Sequence, residues 1–197
     1  MAQRMSAAER RADLVDAAAR AIVAHGLDGF RVRDVADEAG VSQPLVSTHF
    51  RSREEIVLEA FVRSDEQAMA VIDERMAAGG DARERLRTLL LLLLDDAGDP
   101  VIALSWRLWQ EVRTHTRPSE AVRAAVAERE RVWVARIAAL LEEGMEDGSV
   151  RTDVDPQRTA MFLNAFIDGL CPAIRWRTVD LDTAASLLDE ALDERLG

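Results

Sequence analysis

Apolar residues recur at every third or fourth position along most of the chain, and this spacing constrains the fold more than any other feature. After Ser6 the pattern runs through Leu14, Ala18 and Ile22 and stops at Gly26. The alternation of apolar and polar residues that marks a β-strand is not sustained in any segment. The sequence therefore predicts an all-α fold of about nine helices.

Capping and breaking residues divide this pattern into segments of helical length. Ser6 and Glu9 have the spacing of a capping box, and Gly26 ends the first helix. We expect the later helices over 32–38, 42–50, 53–78, 82–95, 100–114, 118–144, 156–176 and 182–196. Residues 144–155 are expected to form a loop, and Cys171-Pro172 to interrupt the eighth helix.

Charge and cysteine content limit the classes of protein to consider. The net charge is −11, but residues 1–55 carry eight Arg and nine Asp or Glu, so the acidic excess lies in the rest of the chain. Cys171 is the only cysteine, which suits a reducing compartment. The longest apolar run, Leu89 to Leu94, is too short to span a membrane, and the first thirty residues do not resemble a signal peptide. We expect a cytoplasmic protein without membrane contact.

Catalytic and metal-binding motifs are missing from the sequence. His25, His49 and His115 lie far apart, and no paired-cysteine, zinc-protease, nucleophile-elbow or phosphate-loop pattern is present. The sequence therefore predicts no catalytic residue, no cofactor and no metal, and it argues against an enzyme.

The segment 31–53 carries the most specific signal. A short helix is followed by a turn at Gly40, and Ser42 and Pro44 then begin a second helix, as an N-cap and first-turn residue should. Ala36 is small enough for the two helices to cross closely. This arrangement predicts a helix-turn-helix.

The second helix of this motif has a side left free for recognition. Val41 and Val46 can fill the space between the helices, so the polar side chains turn outward. Glutamine can hydrogen-bond adenine through both a donor and an acceptor, and serine and threonine can bond bases or phosphates. The outward residues are Gln43, Leu45, Ser47, Thr48 and His49.

This segment resembles the N-terminal domain of TetR-family repressors. The matching positions are Val32, Arg33, Asp34, Val35, Ala36, Ala39, Gly40, Val41, Ser42, Phe50, Ser52, Arg53, Glu54 and Ile56. Arg31 departs from the family, which often has a capping Thr there, and Ser47 replaces a frequent Tyr. Ser47 is most similar to the betaine-regulator branch. His49 stands where a second aromatic residue is common.

The resemblance implies DNA contacts at defined positions. Residues that would approach bases or backbone are Arg33, Gln43, Pro44, Leu45, Thr48 and His49, and Ser42 and Arg53 would contact phosphates. Two structural alternatives stay open, because Arg33 could pair with Asp37 and His49 could pack beside Phe50. The predicted domains are a DNA-binding domain over 8–55, a connecting helix over about 53–78, and a ligand-binding and dimerisation domain over 79–197.

The C-terminal domain is expected to bind a small molecule and a second copy of the chain. The candidate pocket residues are Trp106, Trp109, Trp133, Met161, Phe162 and Phe166. The candidate dimer residues, in the last two helices, are Phe166, Ile167, Leu170, Leu187, Leu188 and Ala191. The expected function is ligand-controlled repression at an inverted-repeat operator in double-stranded DNA. The alternative is a helical ligand-binding or scaffold dimer without DNA binding.

Overall fold

The computed structural model describes residues 6–95, 98–115 and 118–197, and within these ranges it contains nine α-helices and no strand. The helices are α1 (Ala7–His25), α2 (Val32–Ala39), α3 (Gln43–His49), α4 (Arg53–Met76), α5 (Ala82–Leu94), α6 (Pro100–Thr114), α7 (Glu120–Asp147), α8 (Pro156–Arg175) and α9 (Leu181–Leu196). The predicted all-α fold is confirmed. Among the described helices, none is both long enough and apolar enough to cross a membrane.

The start of α1 has the predicted capping box. The N–H of Ser6 donates to Glu9 Oε2 at 2.7 Å, and the N–H of Glu9 donates to Ser6 Oγ at 3.1 Å. The hydrogen bond from the Ser6 backbone lowers the pKa of Glu9. Two backbone donors that a helix start leaves unpaired are satisfied in this way.

The chain forms two compact units. The first comprises the described residues up to Ala68 together with those of Leu104–Ala127, and the second comprises the described residues of Met69–Ala103 and Glu128–Gly197. The predicted C-terminal domain over 79–197 includes all of α6, whereas most of α6 lies in the first unit. There Glu111 Oε2 accepts a hydrogen bond from the Leu27 N–H at 3.0 Å, so α6 helps to fix the loop between α1 and α2.

The core of the first unit is built from one apolar face of each helix. Leu14 and Ile22 of α1, Val35 of α2, Val46 of α3 and Phe61 of α4 are at most 1% exposed. Each such side chain stabilises the folded state by about 1.5–3 kcal/mol relative to an exposed one. The short helices α2 and α3 therefore depend on this shared core for their stability.

The core of the second unit centres on α5. Leu86, Leu89, Leu90 and Leu94 are fully or almost fully buried, and α5 packs against α8 and α9. The leucines over 91–93 are partly exposed, so α5 buries a broad face rather than its whole circumference.

Two predicted helix breaks are wrong. Helix α7 continues past Gly144 to Asp147, and Gly144 is buried where an added Cβ would lie 2.5 Å from Val150 Cγ2. Close approach of Val150, rather than a helix end, accounts for this glycine. Helix α8 runs through Cys171-Pro172 to Arg175. Pro172 has no N–H to donate, and α8 nevertheless stays helical for three more residues.

Candidate nucleic-acid interface

A glycine-centred turn sets the geometry of α2 and α3. Gly40 adopts the left-handed conformation with φ 65° and ψ 34°. Its N–H donates to Asp37 O at 3.2 Å, and the N–H of Val41 donates to Ala36 O at 2.9 Å. This pair of bonds is a Schellman motif, which closes α2 and turns the chain directly into α3.

Helix α3 has one buried and one exposed side. Val46 is fully buried against the core of the first unit. Gln43, Pro44, Ser47 and Thr48 are exposed, whereas Leu45 and His49 are half-buried. The structure therefore places the residues predicted to face outward from α3 on one short helix. Val46, on the opposite side of that helix, anchors it to the core.

The hydroxyl groups of this surface differ in their availability. Ser42 occupies the N-cap position of α3, but its side chain makes no capping hydrogen bond, so its hydroxyl is available to an incoming group. Thr48 Oγ1 donates to Leu45 O at 2.7 Å, which leaves its oxygen lone pairs as acceptors.

Arg31 occupies the N-cap position of α2, and Asp34 accepts the hydrogen bond at this helix start. The N–H of Arg31 donates to Asp34 Oδ2 at 2.6 Å, and the arginine side chain has no acceptor with which to cap the helix itself. Arg33 is exposed, and its Nε lies 3.6 Å from Asp34 Oδ1. The alternative pairing of Arg33 with Asp37 is not the arrangement seen.

Arg53 makes contacts that the sequence analysis did not predict. Its Nε donates to Phe30 O at 3.3 Å, its Nη2 donates to Leu27 O, and its guanidinium lies 4.3 Å from the centre of the Phe30 ring. The side chain thus ties α4 to the loop before α2. Its predicted phosphate contact stays a prediction.

Arg11 of α1 was not identified from the sequence, although it reaches the end of α3. It donates to the carboxylates of Glu55 and Glu59 and to the carbonyl of His49. The hydrogen bond to Glu59 raises the pKa of Arg11, and the N–H of Arg51 lowers the pKa of Glu55. The one available signal was the spacing of Glu55 and Glu59, four residues apart on one face of α4.

The predicted pocket residues do not fall in one unit. Trp106 and Trp109 belong to the first unit, where Trp109 Nε1 donates to the fully buried Asp65 at 2.9 Å. Trp133 is buried in the second unit, which also holds Phe166. Met161 and Phe162 are 59% and 37% exposed, so these two lie on the surface of the protomer rather than in its interior.

The predicted dimer residues divide into two sets. Ile167, Leu170 and Leu188 are buried within the protomer, where they form part of its own core. Leu187 is 38% exposed, and Phe166 and Ala191 are half-buried. Consecutive residues of an α-helix point in directions about 100° apart, so neighbouring apolar residues lie on different faces of the helix. This geometry explains why some of these residues are buried and others are exposed.

The second helix of this helix-turn-helix is anchored by one buried residue and exposes its polar side. This arrangement is typical of DNA-binding regulators.

Comparison with known proteins identifies the family. Residues 14–60 match the family of bacterial regulatory proteins of the TetR type, and residues 82–197 match the C-terminal domain of BetI-type transcriptional repressors. The chain is 30% identical over 185 residues to the transcriptional repressor KstR2 of Rhodococcus jostii, which covers 89% of this chain and 85% of that protein.

Solved structures agree with this match. A TetR-family regulator from a Rhodococcus species superposes with a TM-score of 0.84 at 31% identity, covering 96% of this chain and all of that one. A transcriptional regulator from Saccharomonospora viridis, solved in complex with choline, gives a TM-score of 0.83 at 27% identity, covering 96% and 98% of the two chains. The chain belongs to the TetR family and is a DNA-binding, ligand-responsive transcriptional regulator with a BetI-like C-terminal domain. The family is one of regulators rather than enzymes.

Proposed function

We propose that this protein is a cytoplasmic, homodimeric repressor without enzymatic activity, which binds an inverted-repeat operator and leaves it when a small molecule binds. The observation that carries the proposal is the exposed polar side of α3, set by the Gly40 turn and anchored by Val46. Residues 8–55 act as the DNA-binding domain, and residues 79–197 bind the ligand and the second protomer. Helix α4 is the connection along the chain between these two domains.

The recognition residues take different roles according to their chemistry. Gln43 reads a base edge in the major groove, where its amide can both donate and accept. Ser42, with its free hydroxyl, and Arg53 contact phosphates, while the exposed guanidinium of Arg33 approaches the backbone or a base. The remaining contacts come from Pro44, Leu45, Ser47, Thr48 and His49.

The second protomer packs on the exposed apolar surface of α8 and α9. Large apolar side chains are exposed to water on the isolated protomer at Met161, Phe162 and Leu187. The rings of Phe162 and Phe166 stack with their centres 5.9 Å apart, which makes part of this surface aromatic. Dimerisation would remove this surface from water and place two α3 helices on an inverted repeat.

The small molecule binds in the second unit, for which Trp133 and Phe166 remain candidate pocket residues. Choline is the first compound to test, because a relative of the same fold was solved with it. Ligand binding can release the operator only to the extent that the ligand prefers the conformation with lower DNA affinity.

A gel-shift titration tests the DNA-binding residues. The probe is the DNA flanking the protein's own gene or, if that fragment does not shift, a duplex selected from random sequences. We expect Gln43→Ala to weaken binding by about 1–3 kcal/mol without changing the dependence on salt. A backbone contact by Arg33 predicts that Arg33→Ala also lowers the slope of log affinity against log salt by about 0.9.

Arg131→Ala is the matched control, since Arg131 is an exposed arginine of α7 paired with Glu128. It removes the same charge from the second unit and is expected to bind the probe as the unmodified protein does. Equal binding by all four proteins would contradict the assignment of α3 as the recognition helix. Failure of the unmodified protein to select any duplex would contradict the DNA-binding function itself.

A further inference from the structure

The recognition helix is too short to be stable by itself. Helix α3 has seven residues, about two turns, and isolated helices of this length do not persist in water. The last carbonyls of any helix also lack partners within the helix. Something outside α3 must therefore hold its C-terminal end in place.

Arg11 of α1 meets this end of α3 directly. Its Nη1 donates to the carbonyl of His49, the last residue of α3, and its guanidinium lies 4.5 Å from the centre of the adjacent Phe50 ring. The hydrogen bond satisfies a carbonyl that the helix leaves unpaired, and the ring contact adds a cation–π interaction. Arg11 thus acts as a cap supplied by another helix.

The same guanidinium is fixed from the other side by α4. Its Nε donates to Glu59 Oε2 at 2.9 Å and its Nη2 to Glu55 Oε1 at 2.8 Å. Glu55 Oε2 in turn accepts from the N–H of Arg51, in the turn between α3 and α4, at 2.6 Å. The planar guanidinium of Arg11 therefore connects α1, the end of α3 and the start of α4.

We propose that Arg11 is a positioning residue for DNA recognition, holding the C-terminal end of α3 in the orientation that DNA binding requires. The proposal rests on the function above, in which α3 reads the operator. Arg11 does so without touching DNA, because its donors are directed to His49, Glu55 and Glu59 within the protein. A lysine cannot replace it, since one ammonium cannot serve a carbonyl and two carboxylates in a planar arrangement.

The chain offers a matched control in Arg63. Arg63 of α4 forms a two-point ion pair with Asp16 of α1, with its Nε 2.7 Å from Oδ1 and its Nη2 3.0 Å from Oδ2. It thus joins the same two helices as Arg11 and has similar exposure, but its hydrogen bonds to Asp16 do not involve α3. If the loss of pairing between α1 and α4 were the only effect, substitutions of Arg11 and of Arg63 would have the same consequences.

The experiment compares Arg11→Gln, Arg11→Lys and Arg63→Gln in three measurements. The first two are the affinity for the selected duplex at several salt concentrations and the melting temperature. The third is hydrogen–deuterium exchange of residues 43–50 without DNA, which reports local opening of α3. We expect both Arg11 variants to bind about ten-fold more weakly with an unchanged salt slope, and to exchange faster in α3 than Arg63→Gln.

Three results would overturn the proposal. Affinity and α3 exchange in Arg11→Gln equal to those in Arg63→Gln would show that Arg11 has only a general structural role. A salt slope reduced by about 0.9 in Arg11→Gln, with affinity restored by Arg11→Lys, would show a direct phosphate contact instead. Normal α3 exchange in both Arg11 variants would remove the physical basis of the proposal. Because exchange is measured without DNA, this failure is distinguishable from failure of the unmodified protein to bind DNA.

Discussion

Single arginines with several partners connect the elements of the first unit. Arg11 joins α1, α3 and α4, and Arg53 joins α4 to the backbone of Leu27 and Phe30. Both guanidiniums also lie over a phenylalanine ring. The two ends of the helix-turn-helix are therefore each fixed by one arginine that packs on an aromatic residue and hydrogen-bonds to backbone carbonyls.

A buried carboxylate gives a second case at this scale. Asp65 has no exposed surface and accepts a hydrogen bond from Trp109 Nε1, while the Trp109 ring meets Phe61 edge-on at 4.8 Å. We expect Trp109→Phe to lower the free energy of unfolding by about 1–3 kcal/mol, because it removes a donor from a buried acceptor and leaves part of the indole volume unfilled. Urea denaturation followed by circular dichroism measures the change.

Trp176→Phe is the control for this substitution, since Trp176 is 80% exposed. Its effect is expected to stay within about 0.5 kcal/mol, as for most surface changes. Equal stability of the two variants would mean that the Asp65–Trp109 hydrogen bond contributes little to the folded state.

At the scale of the helix, turn geometry decides where each element stops. The Gly40 turn closes α2 with a residue that adopts a left-handed conformation easily. The end of α8 uses the same motif with a different residue, since Arg177 has φ 56°. Its N–H donates to Ile174 O at 2.9 Å, and that of Thr178 donates to Ala173 O at 3.0 Å. A side chain at this position costs energy that glycine does not.

Replacing this residue with glycine should therefore stabilise the protein. We expect Arg177→Gly to raise the free energy of unfolding by about 0.5–1 kcal/mol and the melting temperature by about 1–4 °C at fixed protein concentration. The opposite kind of change is Gly148→Ala, at a glycine with φ 83°. It should lower the free energy of unfolding and the melting temperature, although an added Cβ there meets no neighbour. A lower melting temperature for Arg177→Gly would show that the Arg177 side chain contributes more than its backbone strain costs.

At the scale of the whole molecule, the acidic charge and the DNA-binding function are compatible. The net charge of −11 comes mainly from residues after position 55, so the helix-turn-helix segment is close to neutral. Repulsion between DNA and the acidic part of the chain is screened beyond about 8–10 Å at physiological salt. Local arginines can therefore contact phosphates despite the overall charge.

The proposed dimer makes a prediction at the same scale. Met161→Glu places a charge in the apolar surface of α8, where it would be buried against the second protomer at a high desolvation cost. We expect a shift from dimer to monomer in light scattering coupled to gel filtration, together with weaker binding to the operator. Ala135→Glu, on the exposed side of α7, adds the same charge and should leave the dimer intact. A dimer that withstands Met161→Glu would place the interface elsewhere.

Features that depend on neighbours along the chain follow from the order of the residues alone. Helical periodicity, the Ser6–Glu9 capping box and the Gly40 turn involve residues at most five positions apart, so their geometry follows from local steric and hydrogen-bonding rules. The exposed side of α3 was also predictable, because the burial of Val46 fixes the directions of the neighbouring side chains on that helix. Local rules failed at Gly144, where a contact with Val150 explains the glycine.

Contacts between residues far apart along the chain depend on how the helices pack. Arg11 lies 38 positions from His49 and 48 from Glu59, and Trp109 lies 44 positions from Asp65. The pattern of a single helix indicates which face is apolar, but it does not indicate whether that face packs on the same chain or awaits a partner. For this reason Ile167 and Leu188 proved to be core residues while Met161 and Leu187 remained exposed, a difference set by how α8 and α9 pack within the second unit.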